Sequence, residues 1–161
     1  MTRRVARAWA LVALVALAGC SSGGPTLEQL DANKRGDGVA HHDVEALAES
    51  IPAAAAADAV TYYAGIFGTN TNGRIDVPGP SDPWIDAVLT FPQGVGSALA
   101  LQTEAVPEGD PDVVPVLAAS VPECTYLSSY DLDRFFSDGA WASSAWLCPE
   151  TDQVVIAAWR I

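Results

Sequence analysis

Two apolar runs near the C-terminus, Trp141–Cys148 and Gln153–Ile161, restrict this fold more than any other feature of the chain. They flank Pro149-Glu-Thr-Asp152, whose residue types suit a tight reversal. Set as a hairpin with Cys148 opposite Gln153, Trp146 faces Val155 and Ala142 faces Trp159. Pleating then groups Ser144, Trp146 and Cys148 with Val155, Ala157, Trp159 and Ile161 on one side. The opposite side still holds Leu147, Val154, Ile156 and Ala158. A strand pair that is apolar on both faces must be covered on both, which places it in the middle of a sheet. Trp146 and Trp159 are expected in the core.

The remaining chain alternates between helical and strand patterns. Asp43 can cap a helix with Val44, Leu47, Ala48 and Ile51 on its apolar face, and Pro52 ends it. Ala53–Ala57 can start a second short helical piece. Val60–Phe67 turns β-branched and aromatic, as a strand does. Asn72-Gly73 predicts a hairpin turn into Arg74–Val77, and the run Pro78–Pro83 suits neither helix nor central strand. In Trp84–Phe91, Ile85, Ala87, Leu89 and Phe91 form a core face, leaving Trp84, Asp86, Val88 and Thr90 on the other. A helix with Val95, Leu99 and Leu101 as apolar residues follows Pro92, weakened by Gly94 and Gly96. Glu104–Asp112 is an acidic loop. Val113–Val121 is apolar but carries Pro115, so an edge strand and a short helix stay equally open. Asp131–Phe136 predicts a short helix stopped near Gly139.

The N-terminus carries an address. Arg3, Arg4 and Arg7 precede an apolar stretch from Ala8 to Ala18, too short for the roughly 20 residues a membrane span needs. Leu17-Ala18-Gly19-Cys20 closes it. This arrangement resembles the lipobox of bacterial lipoproteins, in which the cysteine is lipidated and becomes the mature N-terminus. The resemblance covers the first twenty residues only and implies a signal peptide over 1–19, lipid attachment at Cys20, and a cell-membrane location on the extracytoplasmic face. Residues 20–40, polar and glycine-rich, are expected to form a flexible tether, and 41–161 a single globular domain.

Removing the leader leaves five basic residues against 20 carboxylates, a net charge of −15. Such a surface repels nucleic acid and anionic head groups, so nucleic-acid binding is excluded and lipid must hold the domain at the membrane. Half of the residues are apolar, enough for a real core. With Cys20 assigned to lipid, Cys124 and Cys148 remain as an even pair in an exported protein, which predicts a disulfide. It closes a loop of about 25 residues, worth about 3.5 kcal/mol in the chain-entropy picture.

Chemistry is harder to find. The two histidines, His41 and His42, flank the tether boundary with no nucleophile in a matching context, and Ser128-Ser129 has no evident base. Asp31-Ala-Asn33-Lys-Arg35-Gly36 imitates the start of a calcium-binding loop but places Arg35 and His42 where ligands belong. Glu108-Gly-Asp110-Pro-Asp112 matches no calcium spacing, and Asp131 and Asp133 point to different sides of a helix. No phosphate-binding glycine loop occurs. No metal or cofactor is therefore expected. If surface aromatics meet a partner, Trp84 and Trp141 are the candidates, each at the start of a strand.

The sequence thus predicts an α+β domain: an antiparallel sheet of about four to six strands, two or three packed helices, and one disulfide. Its expected role is that of a non-enzymatic, lipid-anchored module binding a protein or envelope component. The long Asn/Gly/Pro segment from Gly68 to Pro83 supports this reading, since loops of that length are often functional. The alternatives are a small envelope hydrolase or calcium-dependent enzyme using carboxylates near Asp110 or Asp131, and a structural spacer.

Overall fold

The structure is a computed structural model that describes residues 26–68 and 82–161. The leader, Cys20 and the hairpin expected at Asn72-Gly73 lie outside the described residues. Eight strands form one antiparallel sheet in the order β1-β2-β3-β4-β8-β7-β6-β5. Their ranges are β1 Glu28–Gln29, β2 Lys34–Gly36, β3 Ala59–Phe67, β4 Pro83–Thr90, β5 Val106–Pro107, β6 Leu127–Ser128, β7 Trp141–Cys148 and β8 Gln153–Arg160. Three α-helices, α1 Val44–Ala48, α2 Val95–Gln102 and α3 Tyr130–Phe135, and two 3-10 segments, Pro52–Ala56 and Pro115–Ser120, complete the fold.

The C-terminal hairpin has the expected register: Cys148 pairs with Gln153, Trp146 with Val155 and Ala142 with Trp159. Strand β8 lies between β4 and β7, and Val154–Ala158 are buried on both faces. One face carries Leu89, Leu147, Val154 and Ile156 beneath Leu47, Ile51, Leu99, Leu132 and Phe136 from the helical segments. The other carries Trp84, Val88 and Val155 beneath Val114, Leu117 and Tyr126, which come from the irregular segment between β5 and β6.

The sheet exceeds the expected four to six strands because its rims are built from pieces two or three residues long. Such pieces are too short to show a periodicity in sequence. Two of them correct the expected tether: residues 28–36 form the β1–β2 hairpin, which pairs Lys34, Arg35 and Gly36 with Phe67, Ile66 and Gly65 of β3. Strand β2 approaches β3 so closely that a Cβ on Gly65 would stand 1.8 Å from the Arg35 carbonyl oxygen. Only glycine allows that contact.

Local signals explain most boundaries. The Asp43 side chain accepts the Ala46 N–H at 3.0 Å, and the Ser129 hydroxyl accepts that of Leu132 at 3.1 Å, capping α1 and α3. Helix α2 has no cap of its own and borrows one. Asp152, at φ 54° in the β7–β8 turn, accepts the N–H groups of Gly94 and Gly96 at 3.0 and 2.8 Å. Leu101, expected on the apolar side of α2, is 83% exposed instead. Pro115 resolves the open choice for Val113–Val121 by starting a 3-10 turn there.

Candidate functional site

The two faces differ in chemistry, and the loop-covered face holds the unusual groups. Asp86 is completely buried on β4. Both of its carboxylate oxygens accept hydrogen bonds from Lys34 Nζ at 2.7 Å, and Oδ2 also accepts the Val114 N–H at 2.7 Å. Burial pushes the Asp86 carboxyl above its usual range, while Lys34 and the Val114 N–H pull it back down. Lys34, the chain's single lysine, also stands 5.2 Å from the Trp84 ring centre. One carboxylate thereby joins the rim strand β2, the central strand β4 and the loop covering them.

Trp84 corrects the expectation of a surface aromatic. It is fully buried and donates its indole N–H to the Arg35 carbonyl at 3.2 Å. Gly36 and Gly65 precede it in the same register row, and a Cβ on Gly36 would stand 3.5 Å from the ring, so the tryptophan packs directly beside this rim. Trp141 is half-buried and packs against the helix-side core, so it is not a free recognition surface either. Trp159, expected inside, is 38% exposed at the end of β8, beyond the reach of the covering loop.

The covering loop is fastened by the Cys124–Cys148 disulfide, with Cα atoms 6.0 Å apart. Glu150 lies beside it, and one of its carboxylate oxygens and the two sulfurs fall within 4.8 Å of one another. That spacing would suit a metal, but the sulfurs are bonded to each other and are not thiolates. Above the disulfide opens a cleft of about 460 Å³, walled by the segment 110–126. Its sides are Pro111, Pro115, Ala118, Val121 and Pro122, and its charged residues are Asp110 and Glu123. Tyr126 forms part of its base and donates its hydroxyl to the Pro122 carbonyl. Burial raises the Tyr126 hydroxyl above its ordinary value, and the negative charges of Asp110 and Glu123 raise it further.

A second cleft, of about 410 Å³, opens at the outer edge of β7 and includes Glu108, Asp133, Tyr130 and Trp146. Asp133 and Asp131 do point to different sides of α3: Asp133 is half-buried, and its carboxylate accepts the Ala145 N–H at 2.8 Å. Ser137 Oγ, two residues past α3, does the same for Ser143 N–H at 3.0 Å, so α3 and the turn after it supply acceptors that a neighbouring strand would offer. Burial pushes the Asp133 carboxyl upward, the Ala145 N–H lowers it, and Glu108 raises it again.

The other carboxylates considered from sequence do not converge. Asp110 lines the first cleft, whereas Asp131 lines a third with Arg134, 3.9 Å away. Asp31 accepts the Lys34 N–H through its backbone oxygen in the β1–β2 turn. His41 extends the β3 edge, exchanging backbone hydrogen bonds of 2.9 Å with Tyr62 and stacking on its ring at 5.1 Å. His42 Nδ1 lies 3.1 Å from the Val60 carbonyl. Sequence reasoning missed the Asp86–Lys34 pair and the cleft over the disulfide. The signal for the pair was an aspartate inside an otherwise apolar strand of a chain with one lysine. Compared with protein-family profiles, with curated proteins and with solved structures, the chain matches none.

Proposed function

We propose that this protein is a lipid-anchored binding module on the extracytoplasmic face of a bacterial cell membrane, held through Cys20 and acting by docking a partner rather than by catalysis. The observation that carries the docking reading is the cleft over 110–126. It is concave, its walls are largely apolar, and the segment forming it is fixed to β4 through the Val114–Asp86 hydrogen bond and to β7 through the disulfide. A rigid concave surface on an otherwise irregular loop is the usual setting of a binding site. The lipobox-like Leu17-Ala18-Gly19-Cys20 supports the anchor, and the charge of −15 explains why lipid rather than surface electrostatics would hold the domain. The hydrolase alternative has less support, because Asp110 and Asp131 line different clefts.

Two experiments test this. Cys20→Ala should move the protein from the membrane to the soluble fraction of its own cells, and unchanged membrane retention would refute the anchor. A photo-crosslinking residue at Ala118, an exposed position in the cleft, should capture a discrete envelope partner in intact cells that the same probe at Glu49 on α1 does not. Equal capture at both positions would refute the cleft as the docking surface.

A further inference from the structure

Resting on that docking reading, we propose that the cleft over 110–126 receives a lysine or arginine side chain from an extended segment of a partner polypeptide. Its aliphatic stem lies against the proline walls, and its cationic head lies at Asp110 and Glu123.

The composition of the cleft selects this occupant. Its walls include Pro111, Pro115 and Pro122, which are apolar and carry no backbone N–H to offer an anionic or strongly polar ligand. Among the described residues, its charged lining is the carboxylates Asp110 and Glu123, with no basic residue beside them. Tyr126 lines the same cleft, and its hydroxyl proton is already committed to the Pro122 carbonyl. The hydroxyl therefore keeps an acceptor lone pair but no free proton, so it adds an acceptor to a lining whose charged side chains are both acceptors. A ligand that fits must be apolar along its length and a hydrogen-bond donor with positive charge at its end. Lysine and arginine are built this way.

A polypeptide source follows from size and charge. The volume of about 460 Å³ is more than one such side chain fills, so it also takes flanking residues. Val116, 43% exposed in the 3-10 segment that forms one wall, extends the apolar surface past the cleft. Zwitterionic or anionic head groups are poor competitors, because their phosphates would meet two carboxylates. The net charge of −15 draws a basic segment toward this surface and speeds its encounter.

The test uses the full chain in neutral detergent micelles and a fluorescein-labelled heptapeptide, Ala-Pro-Val-Arg-Val-Pro-Ala, followed by fluorescence anisotropy. The control peptide carries citrulline, the uncharged isostere, in place of arginine. The arginine peptide should bind at least roughly tenfold more tightly than the citrulline peptide at low salt, and the difference should shrink in 0.5 M salt. Asp110→Asn and Glu123→Gln, both at exposed positions, should each weaken it about three- to tenfold, and Ala118→Trp should abolish it by filling the cleft. Equal binding of the two peptides, or arginine-peptide binding that the carboxylate variants leave unchanged, would overturn the basic occupant while leaving the docking reading standing. Failure of both peptides to bind at millimolar concentration overturns the basic occupant too. The docking reading then falls only if the Ala118 probe also captures no partner in cells.

Discussion

The two faces of the central sheet are closed by different means. On the helix side, buried aliphatic and aromatic side chains of α1, α2, α3 and the Pro52–Ala56 turn meet those of β4, β7 and β8, and among the described residues no charged side chain is fully buried there. On the loop side, the cover is a 3-10 turn and irregular chain, and the cluster beneath it is smaller. Two directed links fasten it to the sheet, the Val114–Asp86 hydrogen bond and the disulfide, while Lys34–Asp86 and the Trp84 indole on Arg35 tie β2 to β4 beneath the same face. A helix presents an apolar stripe and is held mainly by area, with Asp152 at α2 and Asp133 at α3 adding polar links. A loop presents little area, so specific bonds must hold it, and its shape remains free to form a cleft. Packing closes one face; fastening closes the other.

The most damaging way to break this contrast is to strip one end of the buried ion pair. Asp86→Ala leaves Lys34 without its carboxylate and should cost about 3–5 kcal/mol in urea denaturation. Lys34→Met/Asp86→Leu, which removes both charges together, should recover most of that loss. On the helix side, Leu147→Ala should cost a comparable 2–5 kcal/mol by cavity formation, with no such rescue partner. A double replacement as damaging as Asp86→Ala would show that the loss comes from the missing Val114 and Lys34 bonds rather than from an unpaired buried lysine.

Cys124→Ala/Cys148→Ala is next, at about 2–4 kcal/mol. Hydrogen exchange should localise the loss, speeding Leu117 and Val121 amides well before Leu147 or Ile156. Uniform acceleration would contradict separate fastening of the two faces. In the unmodified protein, mass spectrometry without reductant should find 124 and 148 cross-linked and neither cysteine alkylatable.

Asp152→Ala should lose about 1–2 kcal/mol by uncapping α2, read as a lower Tm with the disulfide intact. The smallest effect is the pH dependence of Asp133. Its folded-state pKa is raised, chiefly by burial, so the folded protein holds this proton more tightly than the unfolded chain. Its contribution to stability is therefore most favourable in acid and falls as pH rises from the ordinary aspartate range through the raised value. Asp133→Asn should flatten that part of the stability profile, and an unchanged slope would show that Asp133 does not titrate abnormally.

Legibility from sequence followed the same division. The β7–β8 hairpin could be read to its register because two long apolar runs admit few alternative pairings. The capped helices were legible because Asp43 and the Asp131–Phe136 run act within one turn of chain. The loop face was largely illegible. Its decisive contacts join Lys34 to Asp86, 52 residues away, and Val114 to Asp86, 28 away, and no local pattern encodes either. Trp84 was misplaced because its strand neighbours Asp86 and Thr90 made that side look wet, when Asp86 is buried by a lysine from a strand too short to foresee. The disulfide was the exception, since counting cysteines needs no geometry.

The short rims of the sheet bear on how copies of this protein coexist. An open sheet ends in rows of unsatisfied backbone groups, and long rows invite a second chain to pair with them. Here β1 and β5 are each two residues long, and Pro107 removes a donor from the β5 side. Among the described residues, copies therefore meet outermost strands at β1 and β5 too short to offer more than a two-residue start for a shared ladder.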